Sequence, residues 1–444
     1  MITSVKINSP AHVSGASRCI DLLYFLLAIL LLPYFFYRRL RGKKSAPWSA
    51  RMAHLPQRST ERRRFWIHAV SVGEANAAAP LLKALNAAFP DADTVISTTT
   101  LTGFDVAQKK YGADRVLQYP HDFSWVVRRF LDRVRPSVVI LMELEVWPNM
   151  TAEARARGIP IVVLNARITA RSAQRYKLGW LMIGPAFRRV DLWLAQAREY
   201  AERLKDLGVD PEKIELSGNI KYDDLDTALP DPALRAALRS ALSLDPAAPV
   251  LIGGSTHPGE ESALLDAYRK LRASSIPNLR LILVPRHPQR FDAVAHEIHA
   301  AQFPCARFST INSSPEKSQP DAVILIDAMG ELKRMYAAAD AAFVGGSLIP
   351  HGGQNIMEPC GMGLCALHGP HMHNFNDAMT VLRECRGAVE VSRASLAPAI
   401  ESVFLNPGDS AAMATRARTE FLKRQGATAL AVKRIGELFC SRHS

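Results

Sequence analysis

Trp66-Ile-His-Ala-Val-Ser-Val-Gly-Glu74 reads as an apolar strand over Trp66–Val72 that runs into a glycine turn. An alanine-rich stretch with helical periodicity follows from Ala75 to Leu85. Glycine lets the backbone turn sharply between the two elements. Glu74 then falls in the first turn of a helix, at the strand end where open α/β sheets bind ligands. A carboxylate there is stabilised by the helix dipole and can act as a general base. An acid that merely complements the dipole is the alternative reading of the same residues.

The same strand-then-helix pattern recurs along the chain. Further strands are predicted at Thr94–Thr99, Ser137–Met142, Ile161–Asn165, Leu192–Gln196 and Lys213–Leu216, with a helix over Tyr200–Leu207. A polar stretch rich in proline and alanine follows, and the alternation restarts at Val250–Gly254, Arg280–Val284, Ala322–Ile326 and Ala342–Gly345. Strands alternating with helices imply parallel sheets covered on both faces. The predicted organisation is therefore an N-terminal anchor and basic flank over 1–45, a first domain over 46–228, a linker over 229–248 and a second domain over 249–444. Two such Rossmann-like domains are expected to face each other across a cleft.

The 444 residues carry 48% hydrophobic and 22% charged side chains, enough for two sizeable cores. A net charge of +13 invites a nucleic-acid reading, but its distribution argues against one. Ten Lys/Arg and one acid lie between Arg38 and Arg64, a net of +9 that leaves only +4 elsewhere. This flank directly follows Leu22–Tyr37, an apolar run of sixteen residues without a charge. As a helix the run is about 24 Å long, short of a hydrocarbon core of about 30 Å. Tyr24, Tyr34, Tyr37, Arg38 and Arg39 are suited to the interface at its ends. A transmembrane or interfacial anchor with the remainder on the cytoplasmic side is the expectation; a buried core helix is the alternative. The six cysteines form no CxxC and no ligand-like spacing with histidine.

Other loops after predicted strands carry chemistry. Glu143 and Glu145 follow an apolar strand, where two carboxylates need exposure or partners such as Arg167 or Arg171. Lys221 lies just beyond another strand, in Ser217-Gly-Asn-Ile-Lys-Tyr-Asp223. In the second domain, Gly253-Gly-Ser-Thr-His-Pro-Gly-Glu-Glu261 suits an anion at a helix start, and Arg286 adds a guanidinium able to grip phosphate. Asp327–Glu331 and Gly345–Glu358 complete four loops after four strands. His371-Met-His373 is a weak metal candidate.

Together these segments resemble the 3-deoxy-D-manno-octulosonic acid (Kdo) transferases, the lipid A glycosyltransferases with a GT-B fold. The likeness runs through HAVSVGE (68–74), LMELEVWPN (141–149), SGNIKYD (217–223), GGSTHPGEE (253–261), LVPRHPQRF (283–291), DAMGEL (327–332) and GGQNIMEP (352–359). The resemblance implies metal-independent, inverting transfer of Kdo from CMP-Kdo to a hydroxyl of a lipid A precursor at the inner membrane. It implies membrane lipids as partners, and neither a cofactor nor nucleic acid. Glu74 is then the general base, with Glu143 and Lys221 supporting the transition state. CMP contacts fall on Pro285, Arg286, Met329, Gly330, Glu331, Asn355, Ile356, Met357 and Glu358. Leu144 stands where the family usually has Thr, and Ile356-Met357 where it has Pro-Leu. A GT-B enzyme using another nucleotide sugar, such as a UDP-sugar lipid transferase or epimerase, is the alternative.

Overall fold

The computed structural model describes residues 14–40, 48–55, 62–225, 228–311 and 321–440. Lys43 and Lys44 of the basic flank lie outside them. The chain divides into two compact units, Met1–Asp224 with Gln425–Ser444, and Leu225–Arg424.

The first unit is built on seven parallel strands: β1 (Arg64–His68), β2 (Asp93–Thr98), β3 (Val116–Gln118), β4 (Val138–Met142), β5 (Ile161–Ala166), β6 (Leu192–Ala195) and β7 (Ile214–Leu216). Their order is β3-β2-β1-β4-β5-β6-β7. Every residue of β4 and β5 is buried. Apolar runs such as Val138-Val-Ile-Leu-Met142 suit a sheet covered on both faces. Successive side chains serve opposite layers. Trp66, Val139, Leu141 and Val163 pack into one core, whereas Phe65, Ile67, Ile140 and Val162 pack into the other.

The second unit repeats the plan with β8 (Val250–Thr256), β9 (Arg280–Pro285), β10 (Cys305–Arg307), β11 (Val323–Leu325), β12 (Ala341–Val344), β13 (Cys365–His368) and β14 (Val389–Glu390). The order is β10-β11-β9-β8-β12-β13-β14, again all parallel.

Several sequence expectations change. β1 stops at His68 instead of Val72, because Ser71 caps a helix over Val72–Ala77 and accepts the Glu74 N–H at 3.3 Å. Strands β3, β10, β13 and β14 were not predicted. Three of these are edge strands of two or three residues, and Cys365-Ala-Leu-His368 lacks a β-branched run. The stretch expected as a linker belongs to the second unit. Its helix, Pro232–Ala241, is fixed by Arg239, whose guanidinium pairs with Asp340 at 2.7 Å.

The end of the chain moves in the other direction. The last helix, Ala427–Cys440, was expected in the second domain but packs on the first sheet through Ala431, Ile435 and Phe439. The Phe439 ring lies 4.5 Å from Phe65 and 5.2 Å from Phe89. Asp223 secures the helix start by accepting the N–H groups of Gly426 at 2.6 Å and Thr428 at 2.5 Å.

The apolar N-terminal segment forms one helix, Ser14–Leu40, that is tied to the first unit by polar bonds. Asp21 accepts from the Ser124 N–H at 2.8 Å and from Asn149 Nδ2 at 2.9 Å. Tyr24 donates to Asp122 at 3.2 Å and meets Phe123 edge-on. Leu22, Phe25, Leu26, Ile29 and Leu30 remain exposed. Among the described residues no helix is long and apolar enough to cross a membrane.

Phe439 is 6% exposed, so Phe439→Ala should leave a cavity under the first sheet. A loss of about 3–5 kcal/mol is expected, seen as a lower urea midpoint. An unchanged midpoint would mean that the last helix does not stabilise this unit.

Candidate active site

Strand order in the first unit reverses direction between β1 and β4. Such a switch point opens a crevice at the strand C-termini. Glu74 follows β1 and Glu143 follows β4, so the two predicted carboxylates stand on either side of it.

Glu74 is the third residue of the helix that Ser71 caps. Its Oε2 accepts the Val70 N–H at 2.9 Å and its Oε1 accepts the Ser71 hydroxyl at 3.0 Å. The structural role considered from sequence is thus real. It does not exhaust the residue, because each oxygen keeps a second lone pair. Burial pushes the Glu74 carboxyl up to about 7, the Val70 N–H draws it back, and Glu143 and Glu145 push it up again. Burial also raises Glu145, against the indole N–H of Trp147 that donates to it at 3.0 Å. Among the described residues Arg171 forms no ion pair with Glu143 or Glu145. Glu143 sits at a positive φ of 59°. A non-glycine residue there is uncommon and needs a well-determined surrounding. Leu144 packs against the apolar core.

Lys221 follows β7 at the sheet edge, three strands from β4. The loop carrying it is drawn inward, since Asn165 at the end of β5 accepts the Ile220 N–H at 3.2 Å. The lysine side chain is exposed and without an ion-pair partner among the described residues. Behind the site His68 is fully buried against Ser97, and burial holds its ring down to about 3. It is a neutral ring packed in the core.

In the second unit the residues expected to contact CMP gather at the same edge of the sheet. Pro285 ends β9, and Arg286 follows as an exposed cation with no ion-pair partner among the described residues. Met329, Gly330 and Glu331 follow the neighbouring β11; Gly330 has φ 88° and open space where a Cβ would stand. Asn355 accepts the Met357 N–H at 3.2 Å and donates to Glu358 at 2.9 Å. These two bonds tie Asn355 to the start of the helix Met357–Gly361, one residue before its N-cap Ile356. Ile356 and Met357 are buried. Among the described residues no group of three or more His, Cys, Asp or Glu is arranged to hold a metal ion, His371 and His373 included.

A family model described as 3-deoxy-D-manno-octulosonic-acid transferase (kdotransferase) matches residues 46–224. The 3-deoxy-D-manno-octulosonic acid transferase of Haemophilus influenzae is 40% identical over 340 residues, 76% of this chain and 77% of that one. The chain belongs to the Kdo transferase family. The namesake from Bordetella pertussis is 36% identical over 383 residues, covering 82% of this chain and 84% of its own. A glycosyltransferase structure from Rickettsia africae superposes with a TM-score of 0.53 at 13% identity, over 86% of this chain and 98% of that one. That likeness concerns the fold alone, two parallel α/β domains of the GT-B kind. With the family comes the coarse activity, that of a glycosyltransferase.

Sequence reasoning missed three supporting residues. Glu260 lies fully buried and binds four backbone N–H groups, from His257, Gly346, Ser347 and Leu348. His257 was read only as part of a small-residue loop. Asn165 has φ 60°, which its sequence neighbours do not announce.

An acid whose folded value lies above its ordinary value of about 4.3 folds best when protonated. The wild-type protein should therefore lose stability relative to Glu74→Gln as pH rises from about 4.5 to 7, with parallel curves above that. Urea midpoints of both proteins at pH 5, 6, 7 and 8 test this. A constant difference over that window would show that burial does not perturb Glu74.

Proposed function

We propose that the protein transfers Kdo from CMP-Kdo to a hydroxyl of a lipid A precursor, with Glu74 as general base. The observation that carries this reading is a partly buried carboxyl with a proton affinity near neutrality, set at the switch point of a Kdo transferase sheet. A base is most effective when its pKa lies near the working pH. Kdo leaves CMP through an oxocarbenium-like state, so the departing phosphate gains negative charge and the sugar becomes cationic. Arg286 and Lys221, neither of them ion-paired among the described residues, are suited to neutralise the phosphate without a metal ion. Glu143 favours the cationic ring. Glu74 removes the acceptor proton, and one displacement inverts the anomeric centre. In this reading Pro285, Met329–Glu331 and Asn355–Glu358 hold the nucleotide.

The acceptor is a lipid, and we assign the enzyme to the cytoplasmic face of the inner membrane. The helix Ser14–Leu40 lies along the bilayer surface in this reading, its exposed leucines and Phe25 entering the acyl boundary. Full-length protein should float with vesicles containing anionic lipid, and Leu26→Asp with Leu30→Asp should release it. Flotation that survives the double substitution would remove this helix as the anchor.

Glu74→Ala should lower transfer by about 100-fold or more, read by mass spectrometry of the lipid product, and leave CMP affinity near normal. Wild-type kcat/KM should rise with pH to about 7 and then level off, because the base acts only when ionised. A variant within about tenfold of wild type, about 1.4 kcal/mol of barrier, would rule Glu74 out. Binding of UDP-sugars without binding of CMP or CMP-Kdo would replace the donor.

A further inference from the structure

Strand order in the second unit reverses between β8 and β12, and three histidines converge there. His257 follows β8, His287 follows β9 and His351 follows β12. The ring of His257 lies 4.2 Å from that of His351 and 5.6 Å from that of His287. His287 and His351 are exposed, whereas His257 is 4% exposed beneath them. The arrangement is built, not incidental. Ser255 takes a positive φ of 54° to aim the loop. Glu260 ties the loop after β8 to the loop after β12, accepting the His257 N–H at 3.0 Å and the Gly346 N–H at 2.7 Å.

The hydrogen-bond network fixes the state of the buried ring. His257 Nδ1 lies 3.1 Å from the Ser255 carbonyl oxygen. A carbonyl only accepts, so Nδ1 carries the hydrogen and Nε2 is left with a lone pair. That Nε2 is buried and has no hydrogen-bond partner among the described residues. Such a group calls for an explanation, because a buried polar atom without a bond is costly. Burial, followed by the neighbouring His351 and His287, holds the ring below the usual histidine range, so it is neutral at pH 7 when empty. Of the facing acids, Glu261 is engaged by Arg290 at 2.5 Å, and both oxygens of Glu260 are taken by backbone N–H groups. Arg286, the chain neighbour of His287, adds positive charge to the same strand end.

We propose that His257, His287 and His351 form a proton-coupled seat for an anionic oxygen of the donor, with His257 Nε2 taking up a proton from solvent as the anion arrives. Protonated Nε2 then donates a charge-assisted hydrogen bond to that oxygen. The identity of the donor rests on the CMP-Kdo reading, whose phosphate and sugar carboxylate both offer this chemistry. Binding becomes pH-dependent in one direction. The anion raises the pKa of His257, so affinity is full at low pH and falls as pH rises through the value in the complex, by up to about tenfold per unit.

Calorimetry of the full chain in two buffers of different ionisation enthalpy tests this at pH 7.5. CMP supplies phosphate alone, Kdo supplies carboxylate alone, and cytidine supplies neither. Proton uptake is expected with whichever anion occupies the seat, and none with cytidine. His257→Asn keeps a donor for the Ser255 carbonyl but removes the titrating nitrogen. It should abolish the uptake and weaken that anion about tenfold or more. His287→Ala and His351→Ala should each retain uptake. Uptake that persists in His257→Asn, or that disappears only in the two exposed variants, overturns the assignment. Nitrogen-15 NMR of the wild-type histidines with and without ligand reads the same proton without any substitution. Inorganic phosphate separates the two readings: a protein that ignores CMP yet protonates His257 with phosphate loses the CMP-Kdo function and keeps the seat. A wild-type His257 that stays neutral with CMP, Kdo and phosphate alike overturns the seat.

Discussion

All seven strands of each sheet run in the same direction, and this polarity governs what each unit can do. Every loop that leaves a strand emerges at one edge, and every loop that returns emerges at the other. Residues distant in sequence are thereby collected without any contact having to select them. In the first unit the reversal of strand order leaves room beside β1 and β4, and acids occupy both sides. In the second unit the equivalent room beside β8 and β12 is occupied by imidazoles. The two units share a plan and differ in the charge of the groups at its one permissive place. In the proposed reaction, acids that accept a proton suit the activation of a hydroxyl, and basic groups suit a leaving phosphate.

In the proposed reading, Glu74 combines a structural and a chemical role in one side chain. The bonds from Val70 and Ser71 fix its rotamer and favour its charged form, while burial and two neighbouring carboxylates favour the neutral one. The opposing influences leave the group near the middle of the physiological range. Without the capping bonds it would be a poorer base for want of position. Without burial it would be a poorer base for want of proton affinity.

The long apolar runs made the central strands readable, since Val138–Met142 and Arg280–Pro285 need no tertiary context to declare themselves. The loops after them were readable too, because glycine, acid and arginine stood where strands ended. Edge strands such as Val389–Glu390 were not, being defined by their neighbour's hydrogen bonds and not by their own side chains. The course of the last helix was hidden for a similar reason. Nothing in Ala427–Cys440 says which sheet its apolar side will cover; Asp223 and Phe65, some 200 and 370 residues earlier, decide it. The buried Nε2 of His257 was likewise invisible, since it follows from a carbonyl two residues back and a loop nearly a hundred residues on.

The return of that last helix makes the second unit an insertion within the first. During synthesis the first sheet is complete long before the segment that covers it has left the ribosome. One face, with Phe65 and Phe89 on it, therefore waits bare while about 200 further residues are made, at the usual 5–20 residues per second. The second unit is finished sooner than the first, although it begins later. A chain that stops before residue 427 has a whole second unit and a first unit with an open seam.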